Sequence, residues 1–366
     1  MREYFLIFVV AAAVTYVATP MVRALAVMTG AFTPVRDRDI HETPIPRLGG
    51  VAIFLGFAAA VLVARQLPFL KGVYNGGQLT GVLIAAAIVC LVGAIDDIRE
   101  MDWLTKLSGQ TLAAGVMAYK GVQLLSIPVL GTNTVLPTPV LVAVTVVIVI
   151  GTANAVNFID GLDGLAAGIV GIASMAFFAY SYLLSYTYNP PNVFSNATFI
   201  TAAVLGCCTG FLPHNFHPAR LFMGDSGALL LGLLLAAATI SMSGNVDPGQ
   251  LSGDRVTAAL LPILVPLAVL SLPFLDVVLA VVRRTRAGVR PWHPDSKHLH
   301  HQMLEIGHGH RRAVLILYLW AALLALGTVS FAFFDGWRAG GAILVCVAVA
   351  TALTVWLPRW SPGNRL

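Results

Sequence analysis

The sequence predicts an all-α polytopic membrane protein of eleven transmembrane helices, with its N-terminus outside and its C-terminus in the cytoplasm. Three observations predict it. The 366-residue chain is 58% hydrophobic and only 11% charged, where a soluble domain carries about 25% charged residues; its mean hydropathy is +0.83. Its apolar residues fall into eleven runs near the ~20 residues an α-helix needs to cross a bilayer. The loops between those runs share the basic residues unevenly, 16 of 22 on one side and six on the other. Lys- and Arg-rich loops stay in the cytoplasm, and this sets the orientation.

In order, the runs are 4–27, 49–67, 79–97, 105–121, 139–156, 164–186, 197–213, 227–243, 256–282, 312–334 and 338–357. The first is too long for a signal-peptide core and many spans follow it, so it reads as a retained helix. The fourth is the weakest, with Lys106, Gln110 and Lys120 near its ends. Outside the membrane, "VQLLSIPVLGTNTVLPTP" (122–139) is rich in β-branched residues and prolines around Gly131-Thr132-Asn133. It reads either as a small extracytoplasmic β-hairpin or as an irregular loop. No run is left over for a second domain, so residues 1–366 form one integral-membrane unit. The four cysteines all lie in apolar runs and suggest neither disulfides nor a zinc site.

The same orientation sorts the polar residues. All nine histidines and twelve of the seventeen carboxylates fall on the cytoplasmic side, in loops 28–48, 97–106, 157–163, 213–226 and 283–311. Chemistry is therefore expected at that face. "GAIDDIREMDWLTKLSGQ" (93–110) places the adjacent pair Asp96-Asp97 at a span end. Paired carboxylates repel, so such a pair is held by a cation or has one proton retained; a water-facing helix end is the plainer alternative. Lys106 follows, at the start of the next helix, where an interfacial anchor would also sit.

"NAVNFIDGLDGLAAG" (154–168) holds Asn157, Asp160 and Asp163 at three-residue spacing, roughly one face of a helix. Helix capping would explain Asp163 alone. Hard divalent cations take carboxylate and amide oxygens, which are the groups supplied here. "NFHPARLFMGDSGALLLG" (215–232) puts Asp225 before an apolar helix, either as N-cap or as ligand, with Phe222 beside it. "HPDSKHLHHQMLEIGHGHRR" (293–312) has His298, His300 and His301 among six histidines, without the spacing of a zinc site. With Arg47 of "RDRDIHETPIPRLGG" (36–50), such a loop suits a phosphate oxyanion. Asp276, within the ninth run, reads as a supporting residue. Carboxylates and amides for Mg²⁺, and basic residues for phosphate, point together to phosphate chemistry at one leaflet.

The ordered set Asp96-Asp97, "NAVNFIDGLDG", "FMGDSG" and "HLHH" resembles the polyprenyl-phosphate N-acetylhexosamine-1-phosphate transferases. This superfamily includes the WecA and TagO enzymes and, more distantly, the muramoyl-pentapeptide transferase MraY. The likeness spans about residues 30–310 by motif. It implies attack of a polyprenyl phosphate, undecaprenyl or decaprenyl, on the β-phosphorus of a UDP-amino sugar at the cytoplasmic face of a bacterial plasma membrane. The products are UMP and a polyprenyl-diphosphate-sugar that begins a cell-envelope polysaccharide. By resemblance, Asp225 and Asn157 ligate Mg²⁺ (or Mn²⁺), and Asp96, with Asp97 beside it, serves catalysis at the lipid phosphate. Lys106 then contacts phosphate, Phe222 and Asp163 hold the uracil, and His298, His300 and His301 meet the donor's phosphate or sugar. Asp160 and Arg47 complete the substrate-binding set.

The form of "HLHH" and of "HETPIPRLGG" leans toward UDP-GlcNAc as donor, with UDP-MurNAc-pentapeptide and UDP-GalNAc as alternatives. A transporter would gather its polar groups near the bilayer midplane, often in repeated halves, and neither feature is visible. Nucleic acid is not an expected partner; a homodimer is compatible with the chain.

Overall fold

A computed structural model of the protein describes residues 1–33, 44–70, 77–124, 127–129, 132–134, 137–188, 195–243, 285–286, 308–331, 334 and 336–356. These residues include the helices α1 (Arg2–Thr29), α2 (Gly49–Gln66), α3 (Gln78–Ile98), α4 (Trp103–Tyr119) and α5 (Thr138–Ile159). After them come α6 (Leu165–Tyr188), α7 (Asn196–Asn215), α8 (Gly224–Ser243), α9 (His310–Ser330) and α10 (Gly336–Trp356). Nine are long and apolar enough to cross a membrane, and the chain is an all-α, multi-pass membrane protein. The tenth, α4, has 17 residues, at the short end of the ~17–25 that cross a bilayer; the polar Lys106 and Gln110 that weakened the prediction are part of it. The predicted span 256–282, with Asp276, lies outside the described residues. Between α4 and α5, β1 (Ile127–Val129) pairs antiparallel with β2 (Thr132–Thr134), Ile127 facing Thr134, as the hairpin reading expects.

The bundle is built around α8. Its membrane window is 89% buried, against 11% for α10 at the periphery. A helix apolar on every side must be enclosed on every side, and the run "ALLLGLLLAAA" leaves no polar face. Helices α2, α3, α5, α6 and α7 pack around it. In lipid no hydrophobic force draws helices together, so close approach depends on small residues. Gly206 and Gly210 let α7 lie against the backbone of α1 at Phe8 and Ala12, and Gly232 lets α8 lie against Ala153 of α5.

Close backbone approaches also surround the first turn of α8. A side chain at Gly50 would overlap the backbone of Ser226 and Gly227, and one at Gly93 the backbone of Asp225 and Ser226. Helices α2 and α3 thus grip the start of α8 from two sides. Gly50→Ala is expected to lower the melting temperature and abolish activity together, because backbone atoms cannot yield to a methyl as a flexible side chain can. A Gly50→Ala protein with the wild-type melting temperature in detergent would contradict this packing.

Candidate active site

Among the described residues, the sequence motifs converge at one end of the bundle, where α3, α5 and α7 finish and α2, α4, α6, α8 and α9 begin. The turn between α3 and α4 is fixed first. Asp96 Oδ1 accepts the Met101 N–H at 2.8 Å, and Asp102 caps α4 by accepting the Thr105 N–H at 2.9 Å. Its hydrogen bonds with the Thr105 hydroxyl and N–H hold the Asp102 carboxyl below the usual carboxylate range. This turn brings Lys106 back over the end of α3. Its ammonium lies 3.3 Å from Asp96 Oδ2 and pairs directly with the carboxylate of Asp225, from α8. Side chains at these three positions are 18–22% exposed. A lysine between two carboxylates, at the mouth of an apolar bundle, is the centre of the site.

Asp97 points the other way and is 2% exposed. Its Oδ1 accepts the Asp225 N–H at 2.9 Å and its Oδ2 the Ser226 N–H at 3.1 Å. The first N–H groups of a helix have no partner within it, so an aspartate from α3 caps α8. Gly224 completes the fit: its φ is +70°, and a Cβ there would run into the Asp97 carboxylate. Expected beside Asp96 as a catalytic residue, Asp97 is placed to hold the residue after Gly224, Asp225, in position. In Asp97→Asn an amide NH₂ would face one of these N–H groups, costing about 1–3 kcal/mol. A lower melting temperature is expected alongside the loss of activity; unchanged melting would remove the clamp.

Arg47 and Phe222, 175 positions apart, lie side by side in a parallel bridge. Phe222 N–H donates to Pro46 O at 2.9 Å and Gly49 N–H donates to Phe222 O at 3.0 Å. Arg47 donates Nε–H to the Asp97 carbonyl at 3.1 Å. The segments before α2 and α8 are thus one structural unit, tied to the end of α3.

The α5–α6 connection forms a second corner. Asp163 is 3% exposed, and its Oδ2 accepts the Ala219 N–H at 3.1 Å and meets His217 Nδ1 at 2.8 Å. His217 stacks on His310 at the start of α9, with ring centroids 4.2 Å apart and planes inclined by 20°; Arg311 donates to the His217 carbonyl. Asn215 joins the corner to α7, accepting the Gly164 N–H at 3.1 Å and donating to Leu221 O at 3.0 Å. Asp160 lies between the two corners. Desolvation, aided by the charges of Asp97 and Asp163, pushes its carboxyl up to about 7. Asn157, partly buried, ends α5 three residues before Asp160.

Hard oxygen donors suit magnesium, and the position between Asp96 and Asp225 already holds a cation, the Lys106 ammonium. The carboxylate of Asp225 and the amide of Asn157 are oxygen donors of the type Mg²⁺ takes, and here Asp225 is paired with Lys106. Asp163, His217 and His310 also bring ligand atoms within 4.8 Å of one another. The two imidazole rings of this cluster are stacked on each other, and His217 is hydrogen-bonded to Asp163. His298, His300 and His301 lie outside the described residues. Sequence reasoning did not single out Asn215, His217 or His310 as site residues; only the "NFHPAR" stretch beside Asp225 hinted at the first two.

Residues 79–243 match the family model described as Glycosyl transferase family 4. The chain is 43% identical, over 97% of its length and 88% of the relative's, to decaprenyl-phosphate N-acetylglucosaminephosphotransferase of Mycolicibacterium smegmatis. The chain belongs to the polyprenyl-phosphate N-acetylhexosamine-1-phosphate transferases of glycosyl transferase family 4. Within this transferase family it is 30% identical, over 88% of its length and 83% of the relative's, to the probable undecaprenyl-phosphate N-acetylglucosaminyl 1-phosphate transferase of Bacillus subtilis. It is also 30% identical, over 79% of its length and 85% of the relative's, to the phospho-N-acetylmuramoyl-pentapeptide-transferase of Desulforudis audaxviator. The family thus holds relatives named for both donors. Of these three relatives, the one that is 43% identical is named for N-acetylglucosamine.

Proposed function

We infer that this transferase moves N-acetylglucosamine 1-phosphate from UDP-GlcNAc to a membrane polyprenyl phosphate, decaprenyl or undecaprenyl. The lipid product is polyprenyl-diphosphate-GlcNAc, the first intermediate of a cell-envelope polysaccharide, and UMP leaves. The observation that carries this reading is Lys106 between Asp96 and Asp225 at one end of a membrane bundle, in a chain whose 43% identical relative is named for N-acetylglucosamine phosphotransfer.

An oxygen of the polyprenyl phosphate attacks the β-phosphorus of UDP-GlcNAc. That phosphorus loses its bond to the bridging oxygen, which departs on UMP. Two anions must meet, so charge neutralisation and alignment carry the catalysis. Lys106 supplies a fixed positive charge for the acceptor phosphate. Asp96, hydrogen-bonded to Met101 N–H and to Lys106, orients that lysine and the incoming phosphate. A phosphate monoester has a second pKa near ~6, so the acceptor is already a dianion at neutral pH and little proton transfer is asked of Asp96. Mg²⁺ or Mn²⁺, held by Asp225 and Asn157, would supply charge neutralisation for the donor diphosphate. Asp97 fixes Asp225 through α8, and Asp160, Asp163 and Phe222 line the donor's nucleotide side. Arg47 holds the Phe222 segment, and His298, His300 and His301 serve the donor phosphates or sugar.

The site then opens to the cytoplasm of a bacterial cell, with the N-terminus outside, an orientation that the 16-to-6 partition of basic residues supports. Glu100→Cys, at an exposed position of the α3–α4 turn, tests this in a Cys346→Ser background. An impermeant thiol reagent should label it in inverted vesicles and not in intact cells; the opposite pattern reverses the topology. Donor identity is tested by offering UDP-GlcNAc, UDP-GalNAc and UDP-MurNAc-pentapeptide at equal concentration with one acceptor. UDP-GlcNAc should dominate, and a preference for the pentapeptide donor would move the protein to the peptidoglycan branch.

A further inference from the structure

Asn154 opens the polar stretch 154–168, yet the assigned site makes no use of it. It lies three residues before Asn157 in α5, on the same side by helical spacing and about one turn deeper in the bundle. Its side-chain amide donates to Gln110 Oε1 at 2.7 Å and to the carbonyl of Ile150 at 2.8 Å. Gln110 lies four residues after Lys106 in α4, again on the same side and one turn deeper, and is only 3% exposed.

The environment makes this pair more than a surface contact. α4 is short, and its buried residues are Gln110, Ala113, Ala114, Met117 and Ala118. None lies in the turns carrying Lys106, where Trp103 and Leu104 are 75% and 59% exposed. Gln110 is the first buried residue of α4 after Lys106. There it meets a polar group of α5 instead of an apolar one. Within a packed membrane bundle, breaking an amide–amide hydrogen bond leaves polar groups that lipid cannot satisfy.

We propose that Gln110 and Asn154 form a positioning bridge that fixes Lys106 of α4 against Asn157 of α5, and so sets the acceptor phosphate against the donor. The proposal rests on the reading of Lys106 and Asn157 given above. It adds two residues that touch no substrate and act through those that do. Misplacement by about an ångström costs roughly 100-fold in rate, so a bridge of this kind should be visible in kinetics without loss of the fold.

The experiment compares Gln110→Leu, Asn154→Leu and the exchanged pair Gln110→Asn/Asn154→Gln, which preserves the total side-chain length. Gln110→Leu is expected to lower kcat/KM for polyprenyl phosphate by about tenfold or more, with the KM for the UDP-sugar changed less than about twofold. In a Lys106→Ala background it should cost little further, and the exchanged pair should recover most of the loss. An equal loss in the Lys106→Ala and wild-type backgrounds would overturn the proposal, because the bridge would then not act through Lys106.

A second measurement needs no turnover. Spin labels at Thr105→Cys and Phe158→Cys, exposed neighbours of Lys106 and Asn157, in a Cys346→Ser background report the α4–α5 separation. Gln110→Leu should broaden or shift that distance distribution and the exchanged pair should restore it; an unchanged distribution overturns the bridge. Failure of the transferase reading shows itself separately, as a wild-type protein that releases no UMP.

Discussion

Asp225→Asn is expected to lower turnover by about 100-fold or more while the protein remains folded. The size follows from removing one preorganised charged group at a site of phosphoryl transfer, where single electrostatic partners are worth roughly 10²–10³ in rate. Asparagine keeps the volume and one oxygen ligand and removes the charge that faces a cation. The fold has little stake in this carboxylate: the helix is held by its backbone N–H groups on Asp97 and by glycine contacts at Gly50 and Gly93. Melting in detergent should therefore stay close to wild type. The same protein should bind Mn²⁺ more weakly by paramagnetic titration, a readout independent of turnover. Near-normal turnover by well-folded Asp225→Asn would falsify the metal assignment.

Lys106→Ala carries the second largest expected effect. The lysine is the counter-ion of both Asp96 and Asp225, so its loss removes the fixed cation expected for the acceptor phosphate and leaves two carboxylates facing each other. A hydrogen bond to a charged group is worth about 1.5–3 kcal/mol, which converts to roughly 10–100-fold. The loss should appear in kcat/KM for polyprenyl phosphate and largely spare the KM of the UDP-sugar. A shift confined to the UDP-sugar would place the lysine on the donor.

The parts of this molecule legible in the sequence are those set by composition and local spacing. Apolar runs of membrane length marked nine of the described helices, because no neighbour is needed to make such a run cross lipid. Asp96, Lys106 and Asp225 stood out because charges beside spans are costly. Their mutual contact was less visible, since it depends on Asp102 capping α4 and turning Lys106 back over α3.

What the sequence hid were partnerships between distant segments. Phe222 is bonded through its backbone to Pro46 and Gly49, on either side of Arg47, and such bonds are blind to side-chain identity. Asp96 and Asp97 are adjacent, yet they take different partners. Neighbours on a helix point about 100° apart, and one faces Met101 and Lys106 while the other faces the start of α8. Asn154 and Gln110 carried no signal as a pair, because an amide in an apolar run reveals its partner only when the helices are packed.

The central claim is phosphosugar transfer, and the nucleotide product tests it most directly. Transfer of the sugar alone would release UDP and leave one phosphate on the lipid. Transfer of the sugar phosphate releases UMP and leaves two. Purified protein given UDP-GlcNAc, polyprenyl phosphate and Mg²⁺ is expected to release UMP in equal amount to a lipid whose mass is that of polyprenyl-diphosphate-GlcNAc. Release of UDP with a lipid monophosphate sugar, or no release of nucleotide at all, would contradict the account.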